Sequence, residues 1–532
     1  MAVHYPPTQK TRPAPIAATS PSSQPTSARR LGDLALVVTV CALIARLDMI
    51  SAQSAWLDEG YTVTEARHSL LDLIGFTLKY DTHPPLYYAV LHVWMSVVGF
   101  GVVQGRLLSV LCGVGAVAAL YLVARGLFGR VTALLAAALL AVSPIAVWYS
   151  DETRMYAMVG FVALLALACL VYAVRRHDWA LWGGYAACGA VAFYVDYSAV
   201  YILVGAAIYA LLVGLRRRDV LRQWLVANAV LALLLAPGLF MLRHQATANL
   251  ASVGWIPTPT PDIVGGTLLD IVGFHTPAPA VVTLIGLCLA ALVVLALWLN
   301  LWTRVRGQAW EQARDSYLFL ACVTLAPLAI PLLLSLSHSV FLTRTVMTAL
   351  YGLIILLARA VVIVLRRRGL AALLLLLPLL AVDGVSLRAA SATTINEDWR
   401  GAAAYVRPRA LPGDVLVFDR SYLQLPFDLY WHGGQGVAPV VERGYPYDES
   451  LLVAHPRLLN TQARMAAATS HARTVWIVTR DPDPGTRVPP ADPLGLWARR
   501  HLTLVDVRHV HTVTIFRFSK ASAALGGRGV AS

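Results

Sequence analysis

The chain has 532 residues, of which 58% are hydrophobic and only 14% are charged. Ordinary soluble proteins carry about 45–50% apolar and about 25% charged residues, so a cytosolic globular enzyme, a disordered protein and a disulfide-rich scaffold are all excluded. A chain this apolar is soluble only in a bilayer. Its net charge of +14 would suit either nucleic-acid binding or a membrane topology signal, and the positions of the basic residues decide between them.

Long apolar stretches predict a polytopic α-helical membrane protein. Residues 1–30 are rich in Pro, Ser and Thr and predict a disordered tail. About 20 apolar residues suffice to cross the hydrocarbon core of a bilayer. We therefore predict about eleven spans, at residues 33–50, 106–124, 131–148, 158–174, 180–195, 198–215, 224–242, 281–302, 317–335, 346–364 and 369–386.

The apolar stretch 84–100 decides the topology. It is short, aromatic and begins with two prolines, which favours a helix lying in the membrane interface. If it does not cross, all the arginine clusters fall on one side, which the positive-inside rule makes cytoplasmic. The clusters lie at residues 29–30, 125–130, 175–176, 216–222, 304–314 and 366–368. The positive charge is then mostly a topology signal, and no nucleic-acid partner is expected.

This topology leaves four segments on the outer side of the membrane, together with everything after residue 387. The segments are residues 51–105, 149–157, 243–280 and 337–345. The six cysteines all lie in apolar runs without metal-ligand spacing, which is typical of small buried hydrophobic residues.

Residues 391–532 predict a small extracytoplasmic α/β domain, distinct from a transmembrane catalytic domain at 31–390. An amphipathic helix is predicted at 397–406, a second helix at 422–431, and strands at 414–418, 475–479, 502–507 and 513–518. Alternation of strands and helices is typical of an α/β fold. The domain has no glycine-rich phosphate-binding loop.

Two adjacent carboxylates, Asp58 and Glu59, open the first outer segment. Charge at the membrane surface is costly and usually functional, so either could be a general base. The alternative is a solvated cap on a helix predicted at 61–80, because acidic residues favour a helix N-terminus. These residues alone leave both interpretations open.

Several cations on the outer side are candidates for binding an anion. Lys79 and His83 precede a rigid Pro-Pro pair, and Arg106 begins a span on the side where the positive-inside rule disfavours it. A lipid phosphate would account for Arg106, and snorkelling to headgroups is the alternative. Arg344 is a second candidate, because a guanidinium grips phosphate bidentately.

The short second outer segment contains Asp151, Glu152 and Arg154. These charges could pair internally, orient an acceptor, support the first segment or hold a metal ion. Oxygen ligands would suit Mg²⁺ or Mn²⁺, but two acids are too few to infer a metal site. We therefore assign no metal ligand and leave a divalent cation open.

In this order, the motifs resemble those of the GT-C membrane glycosyltransferases, close to the protein O-mannosyltransferases and the bacterial lipid A aminoarabinose transferase. They are WLDEG at 56–60, HPPLYY at 83–88, RLLS at 106–109, LFGR at 127–130, SDETRMYA at 150–157 and EDWR at 397–400. The resemblance implies a GT-C-like fold with interfacial helices in the first outer loop. It also implies a polyprenyl-phosphate sugar donor and transfer on the extracytoplasmic face.

The resemblance also implies roles for individual residues. Asp58 would deprotonate the acceptor hydroxyl, and Glu59 would support it or orient the acceptor. The donor phosphate would be bound by Lys79, Arg106 and Arg344, with Arg154 in a similar role or paired with Asp151 and Glu152. The acceptor would be supported by Asp151, Glu152, His83 and Tyr87. Inverting transfer needs one base and positive charge on the leaving phosphate, so a metal is not required.

The sequence thus predicts a multi-pass cell-membrane hexosyl- or pentosyltransferase of the mannosyltransferase type, acting in cell-envelope or cell-wall biogenesis. Its partners would be the polyprenyl-phosphate sugar, membrane lipids and a glycan, lipid or protein acceptor. The alternatives are a polyprenyl-lipid transporter or flippase that uses the same cations, and a catalytically silent scaffold. A transporter should show polar residues in mid-membrane, whereas the predicted spans are almost free of them.

Overall fold

The computed structural model describes residues 25–248, 254–273, 308–367, 369–418, 421–431, 438–439, 469–480 and 493–520, with single residues between 280 and 290. The predicted span at 281–302 lies almost wholly outside the described residues. Helix α1 begins at Pro25, so residues 25–30 are helical and do not belong to the predicted disordered tail.

Residues 25–248 form a run of closely connected helices. These are α1 (Pro25–Met49), α2 (Leu57–Glu65), α3 (Leu70–Tyr80), α4 (Leu86–Val98), α5 (Val102–Phe128), α6 (Arg130–Val142), α7 (Pro144–Trp148), α8 (Tyr156–Arg176), α9 (Trp179–Val195), α10 (Ala199–Gly214) and α11 (Arg218–Ala248). They bury a continuous apolar core, in which α8 packs between α5 and α9.

Further helices complete the bundle and lead into the C-terminal region. They are α12 (Pro261–Gly273), α13 (Gln308–Leu334), α14 (Thr343–Val346), α15 (Ala349–Arg367) and α16 (Gly369–Ala392). Within the described residues, five helices are long and apolar enough to cross a membrane, namely α5, α8, α11, α13 and α15. The chain is therefore a multi-pass membrane protein.

Helices occupy ten of the eleven predicted span positions, with one internal break. The predicted span at 131–148 is two helices, because Ser143 precedes Pro144 and adopts an extended conformation with ψ 120°. Helix α4 has 13 residues and is about 20 Å long at 1.5 Å per residue. That is shorter than the roughly 30 Å hydrocarbon core, and the interfacial position of 84–100 stays a prediction.

The predicted helix at 61–80 is wrong in its extent. Two helices, α2 and α3, occupy this stretch, and α2 begins at Leu57. The break falls before Ser69, whose side chain accepts a hydrogen bond from the backbone N–H of Asp72 and caps α3. The earlier start places Asp58 and Glu59 inside the first turn of α2.

The C-terminal region contains a five-stranded mixed sheet, in agreement with the predicted α/β domain. Its elements are α17 (Trp399–Val406), β1 (Val415–Phe418), α18 (Gln424–Asp428), β2 (Ala438–Pro439), β3 (Thr474–Arg480), α19 (Pro493–His501), β4 (Leu502–Val510) and β5 (Val513–Lys520). The strand order is β2-β1-β3-β5-β4. Strand β1 pairs parallel with β2 and β3, and β5 pairs antiparallel with β3 and β4. Apolar clusters cover both faces, around Trp399 and Trp476 on one and Trp497 and Phe516 on the other.

Candidate active site

The first turn of α2 presents its two carboxylates to opposite environments. Successive helix residues are separated by about 100° around the axis, so neighbours face different directions. Glu59 points into the bundle and its side chain is 0% exposed, whereas the side chain of Asp58 is 31% exposed. Only Asp58 is therefore accessible to a ligand from solvent.

Glu59 forms a closed ion pair with Arg106 of α5. Arg106 Nε lies 2.8 Å from Glu59 Oε1 and Arg106 Nη2 lies 2.6 Å from Oε2, which is bidentate geometry. The backbone N–H of Thr153 also donates to Glu59 Oε1, at 2.8 Å. Glu59 thus joins the first outer segment to α5 and to the second outer segment.

Arg106 has no N–H group left for a ligand. Its Nη1 donates to the carbonyl oxygens of Ile50 at 2.9 Å and Gln53 at 3.0 Å, and its Nη2 donates to that of Ser54 at 3.4 Å. Together with the two bonds to Glu59, these contacts use all five donors of a guanidinium. Arg106 is 1% exposed, so neither snorkelling nor an open phosphate contact describes it. All of its N–H groups are bonded within the protein, so the structure does not support its predicted role in binding the phosphate of the sugar donor.

Asp58 lies between two other arginines. Its Oδ2 is 3.7 Å from Arg344 Nη1 and 3.9 Å from Arg154 Nη2. Both distances exceed those of a hydrogen bond, so the carboxylate is close to positive charge without being tied to it. The structure thereby gathers three predicted site residues from three separate segments of the chain.

The two arginines beside Asp58 are held by different neighbours. The Arg344 guanidinium lies 5.4 Å from the ring centre of Trp255, and the adjacent Thr343 donates a hydrogen bond to Asp270 of α12. Arg154 is 3% exposed and its Nη1 donates to Thr62 Oγ1 at 2.8 Å. Its Nε is buried and has no partner among the described residues. The Arg344 side chain is 23% exposed and that of Arg154 is 4% exposed, so Arg344 is the more accessible of the two.

The acids of the second outer segment are buried. Burial raises the pKa of Glu152 to about 8, with repulsion from Glu59 adding to the effect. Burial likewise raises the pKa of Asp151 well above its usual range, against the attraction of Arg106. Glu152 Oε1 accepts a hydrogen bond from the indole N–H of Trp148. Burial therefore favours the protonated form of Glu152.

The remaining predicted residues lie where α3 ends and α4 begins. His83 Nδ1 is 2.9 Å from Asp81 Oδ1, so His83 is paired. Burial raises the pKa of Asp81, but His83, together with Tyr88 and Arg154, more than offsets this and the net shift is downward. Lys79 is exposed, with its Nζ 4.6 Å from the ring centre of Tyr80. Tyr87 is 1% exposed and packs against Tyr88 in the core.

The sequence left open whether the acids of the site bind a divalent cation. Within the described ranges, no three His, Cys, Asp or Glu side chains gather in a group that could hold a metal ion.

The C-terminal domain supports the beginning of α2, which the sequence did not predict. Glu397 Oε2 accepts a hydrogen bond from the N–H of Leu57, the first residue of α2, and another from the indole N–H of Trp399. The N–H of Ala55 donates to the hydroxyl of Tyr430 at 2.7 Å. The first amides of a helix have no partners within the helix. At the start of α2, the C-terminal region supplies acceptors for these amides.

The link between α1 and α2 is held from the same side. Arg400 Nη2 donates to the carbonyl oxygens of Gln53 at 2.6 Å and Ser51 at 3.0 Å. Gly60 lies against α18, and a Cβ atom there would stand 2.5 Å from the backbone nitrogen of Pro426. The only hint of this contact in the sequence is the EDWR motif that contains Glu397 and Arg400.

Comparison with known proteins places this arrangement in a known fold. Residues 82–240 match the family described as dolichyl-phosphate-mannose-protein mannosyltransferase. The structure of ArnT from Cupriavidus metallidurans in the apo state is 15% identical, with a TM-score of 0.60 over 92% of this chain and 98% of that chain. The same protein bound to undecaprenyl phosphate matches at 14% identity and a TM-score of 0.56, over 95% and 100% of the two chains.

A second solved protein has a similar fold. The oligosaccharyltransferase AglB from Archaeoglobus fulgidus, in complex with an inhibitory peptide and a dolichol-phosphate, is 13% identical. It aligns with a TM-score of 0.54 over 94% of this chain and 75% of its own. No curated protein sequence matches the chain. The resemblance to GT-C glycosyltransferases is confirmed, and the chain has their polytopic helical fold with a small C-terminal sheet region.

Proposed function

We propose that the protein transfers a sugar from a polyprenyl-phosphate donor to an acceptor hydroxyl on the extracytoplasmic face of the cell membrane, with inversion at the anomeric carbon. One observation carries the proposal. Asp58 is partly exposed at 3.7 Å and 3.9 Å from two arginines, while its neighbour Glu59 is fully occupied by Arg106. The reaction needs an accessible carboxylate as the base and nearby positive charge to stabilise the leaving phosphate.

The chemistry follows from these positions. Asp58 takes the proton of the acceptor hydroxyl as its oxygen attacks the anomeric carbon. The bond from that carbon to the phosphate oxygen breaks, and the electron pair leaves with the phosphate. In this proposal Arg344 binds the phosphate bidentately, and the buried Arg154 adds positive charge. Exposed Lys79 is a further phosphate contact.

Glu59 and Arg106 act through position in this proposal. Their buried pair and the Thr153 contact fix the first turn of α2 against α5, which sets the direction of Asp58. Asp151 and Glu152 are buried near the Glu59–Arg106 pair, and we assign them to supporting the acceptor. His83 and Tyr87 are assigned to the acceptor side as supporting residues.

The donor class is supported by the relatives. The matched family is described by dolichyl-phosphate-mannose, and the structures carry undecaprenyl phosphate in ArnT and a dolichol-phosphate in AglB. These lipids share a single phosphate on a polyprenyl chain. We propose the same donor class here, with mannose or arabinose as the first sugars to test and a glycan, lipid or protein as acceptor.

Transfer from purified lipid donors tests this function. Full-length protein in vesicles would receive radiolabelled polyprenyl-phosphate mannose or arabinose and an extract of envelope acceptors. We expect label to move to acceptor, with a donor KM about tenfold or more higher in Arg344→Ala, because bonds to charged groups contribute about 1.5–3 kcal/mol. Arg243→Ala is the matched control, since Arg243 is exposed at the same end of the bundle.

Two results would contradict the proposal. Movement of labelled lipid between leaflets without transfer would favour the flippase. An unchanged donor KM in Arg344→Ala would remove Arg344 from the phosphate site.

A further inference from the structure

A second group of arginines surrounds a cavity at the end of the bundle opposite Asp58. The cavity has a volume of about 400 Å³ and lies among the ends of α5, α8, α10 and α13. Helix α8 runs from Tyr156, beside the Asp58 site, to Arg175, which lines the cavity. Its 21 residues span about 30 Å, the thickness of the hydrocarbon core. The cavity and the Asp58 site therefore lie at opposite ends of α8, about one hydrocarbon-core thickness apart.

Positive charge in this cavity exceeds the negative charge that faces it. Four arginines line it, Arg175, Arg216, Arg217 and Arg314, against two acids, Asp315 and Glu311. A single carboxylate, that of Asp315, is shared by three of the arginines at 3.7 Å, 4.0 Å and 3.3 Å. Arg175 donates to the carbonyl oxygen of Leu127.

The arginines converge more closely than topology alone requires. The positive-inside rule needs only that basic residues stay on one side, where each could extend separately into water. Here the Nε of Arg217 is buried without a hydrogen-bond partner among the described residues. Buried donors that lack a partner cost free energy, and an anion in the cavity would remove that cost.

The lining indicates the chemistry of the ligand. Guanidinium groups bind phosphate oxygens bidentately, and basic pockets between helices at the inner membrane face suit anionic headgroups. One wall is apolar, formed by Leu127, Val174 and Val213, and Tyr209 and Ser316 add hydroxyl groups. We propose that this cavity binds a phosphate group at the membrane face opposite the Asp58 site, independently of the proposed transfer reaction.

A phospholipid headgroup and a free phosphate ion share this chemistry, and binding experiments separate them. Full-length protein in phosphatidylcholine nanodiscs would be titrated with inorganic phosphate. A second series would replace phosphatidylcholine stepwise by phosphatidylglycerol. The unfolding temperature reports binding in both series, because a ligand that binds only the folded state stabilises it.

Matched variants make the test specific. The double variant Arg216→Gln/Arg217→Gln removes two cavity arginines. Arg222→Gln removes an exposed arginine from the adjoining helix, outside the lining. Asp315→Asn removes the competing carboxylate without removing an arginine, which guards against a double variant that fails to fold.

We expect half-saturation at least tenfold weaker in the double variant, unchanged in Arg222→Gln and tighter in Asp315→Asn. Stabilisation by phosphatidylglycerol alone would identify a lipid headgroup, and stabilisation by inorganic phosphate as well would identify the free ion. Absence of stabilisation by either ligand, or equal titrations of the wild type, the double variant and Asp315→Asn, would overturn the proposal.

Discussion

The two acid–arginine groups at the start of α2 differ in how tightly they are closed. Glu59 and Arg106 are 0% and 1% exposed and meet at 2.6–2.8 Å through two bonds. Asp58 is 31% exposed, and its nearest cations stand at 3.7 Å and 3.9 Å. A closed pair stabilises position, whereas an open group remains available to a ligand. The proposed function therefore assigns a structural role to Glu59 and a chemical role to its neighbour Asp58.

Breaking the closed pair should give the largest loss of stability. Arg106→Gln leaves Glu59 as a buried charge without its partner, which costs about 3–5 kcal/mol of the free energy of unfolding. Denaturant titration in detergent micelles measures it. The double variant Glu59→Gln/Arg106→Gln should recover part of this loss, because no buried charge remains.

Arg67→Gln is the control for Arg106→Gln. Arg67 is exposed on the same outer segment, so its replacement should change the free energy of unfolding by less than about 0.5 kcal/mol. Equal losses in Arg67→Gln and Arg106→Gln would show that the buried pair is not what holds this segment.

The contact between α2 and the C-terminal domain should give a smaller effect. In Gly60→Ala the new methyl group meets the backbone of Pro426 at 2.5 Å, which backbone atoms relieve only by shifting. Overpacking of this kind costs about 1–3 kcal/mol. Gly75→Ala on α3 is the matched control, because a Cβ there has no neighbour within 4 Å.

The same two variants also test whether the C-terminal region orients Asp58. If the C-terminal domain positions α2, Gly60→Ala should lower transfer as well as stability. Gly75→Ala should leave both at the wild-type level or raise stability slightly, because alanine is the better helix former. A Gly60→Ala protein with wild-type stability and transfer would show that α18 only lies near α2.

The effect of Glu152 should appear as a pH dependence of stability. Its pKa is raised from 4.5 to about 8, so between these values the folded protein holds a proton that the unfolded chain has released. Stability therefore falls as pH rises through this window and levels off above about pH 8. Glu152→Gln should reduce that slope, as followed by unfolding temperature from pH 5 to 9.

Asp48→Asn is the control for this measurement, since Asp48 is exposed on α1. Its slope should match that of the wild type. An unchanged slope in Glu152→Gln would mean that Glu152 is ionised in the folded protein at neutral pH.

Much of this architecture could be predicted from apolar patterning. Helices stand at ten of the eleven predicted span positions, and strands stand at 415–418 and 474–480 where buried runs were expected. The cations that break the positive-inside rule led to Arg154 and Arg344, which do meet at Asp58. Local sequence carries these signals because hydrophobicity and charge are local properties.

Partners that are distant in sequence could not be predicted in the same way. Arg106 looked like a phosphate ligand because the sequence does not show that Glu59 and three carbonyl groups surround it. Glu397 reaches Leu57 across 340 positions. The break between α2 and α3 was missed as well, because the cap at Ser69 is weaker than the apolar pattern that runs across it.

The central claim is that Asp58 performs the proton transfer and Glu59 holds the structure. The most direct test measures sugar transfer and unfolding temperature in the same preparations of wild type, Asp58→Asn and Glu59→Gln. We predict that Asp58→Asn loses about 10²–10⁴-fold in transfer rate, the usual contribution of a general base, while keeping the wild-type unfolding temperature. Glu59→Gln should mainly lower the unfolding temperature. Wild-type transfer by Asp58→Asn would contradict the claim.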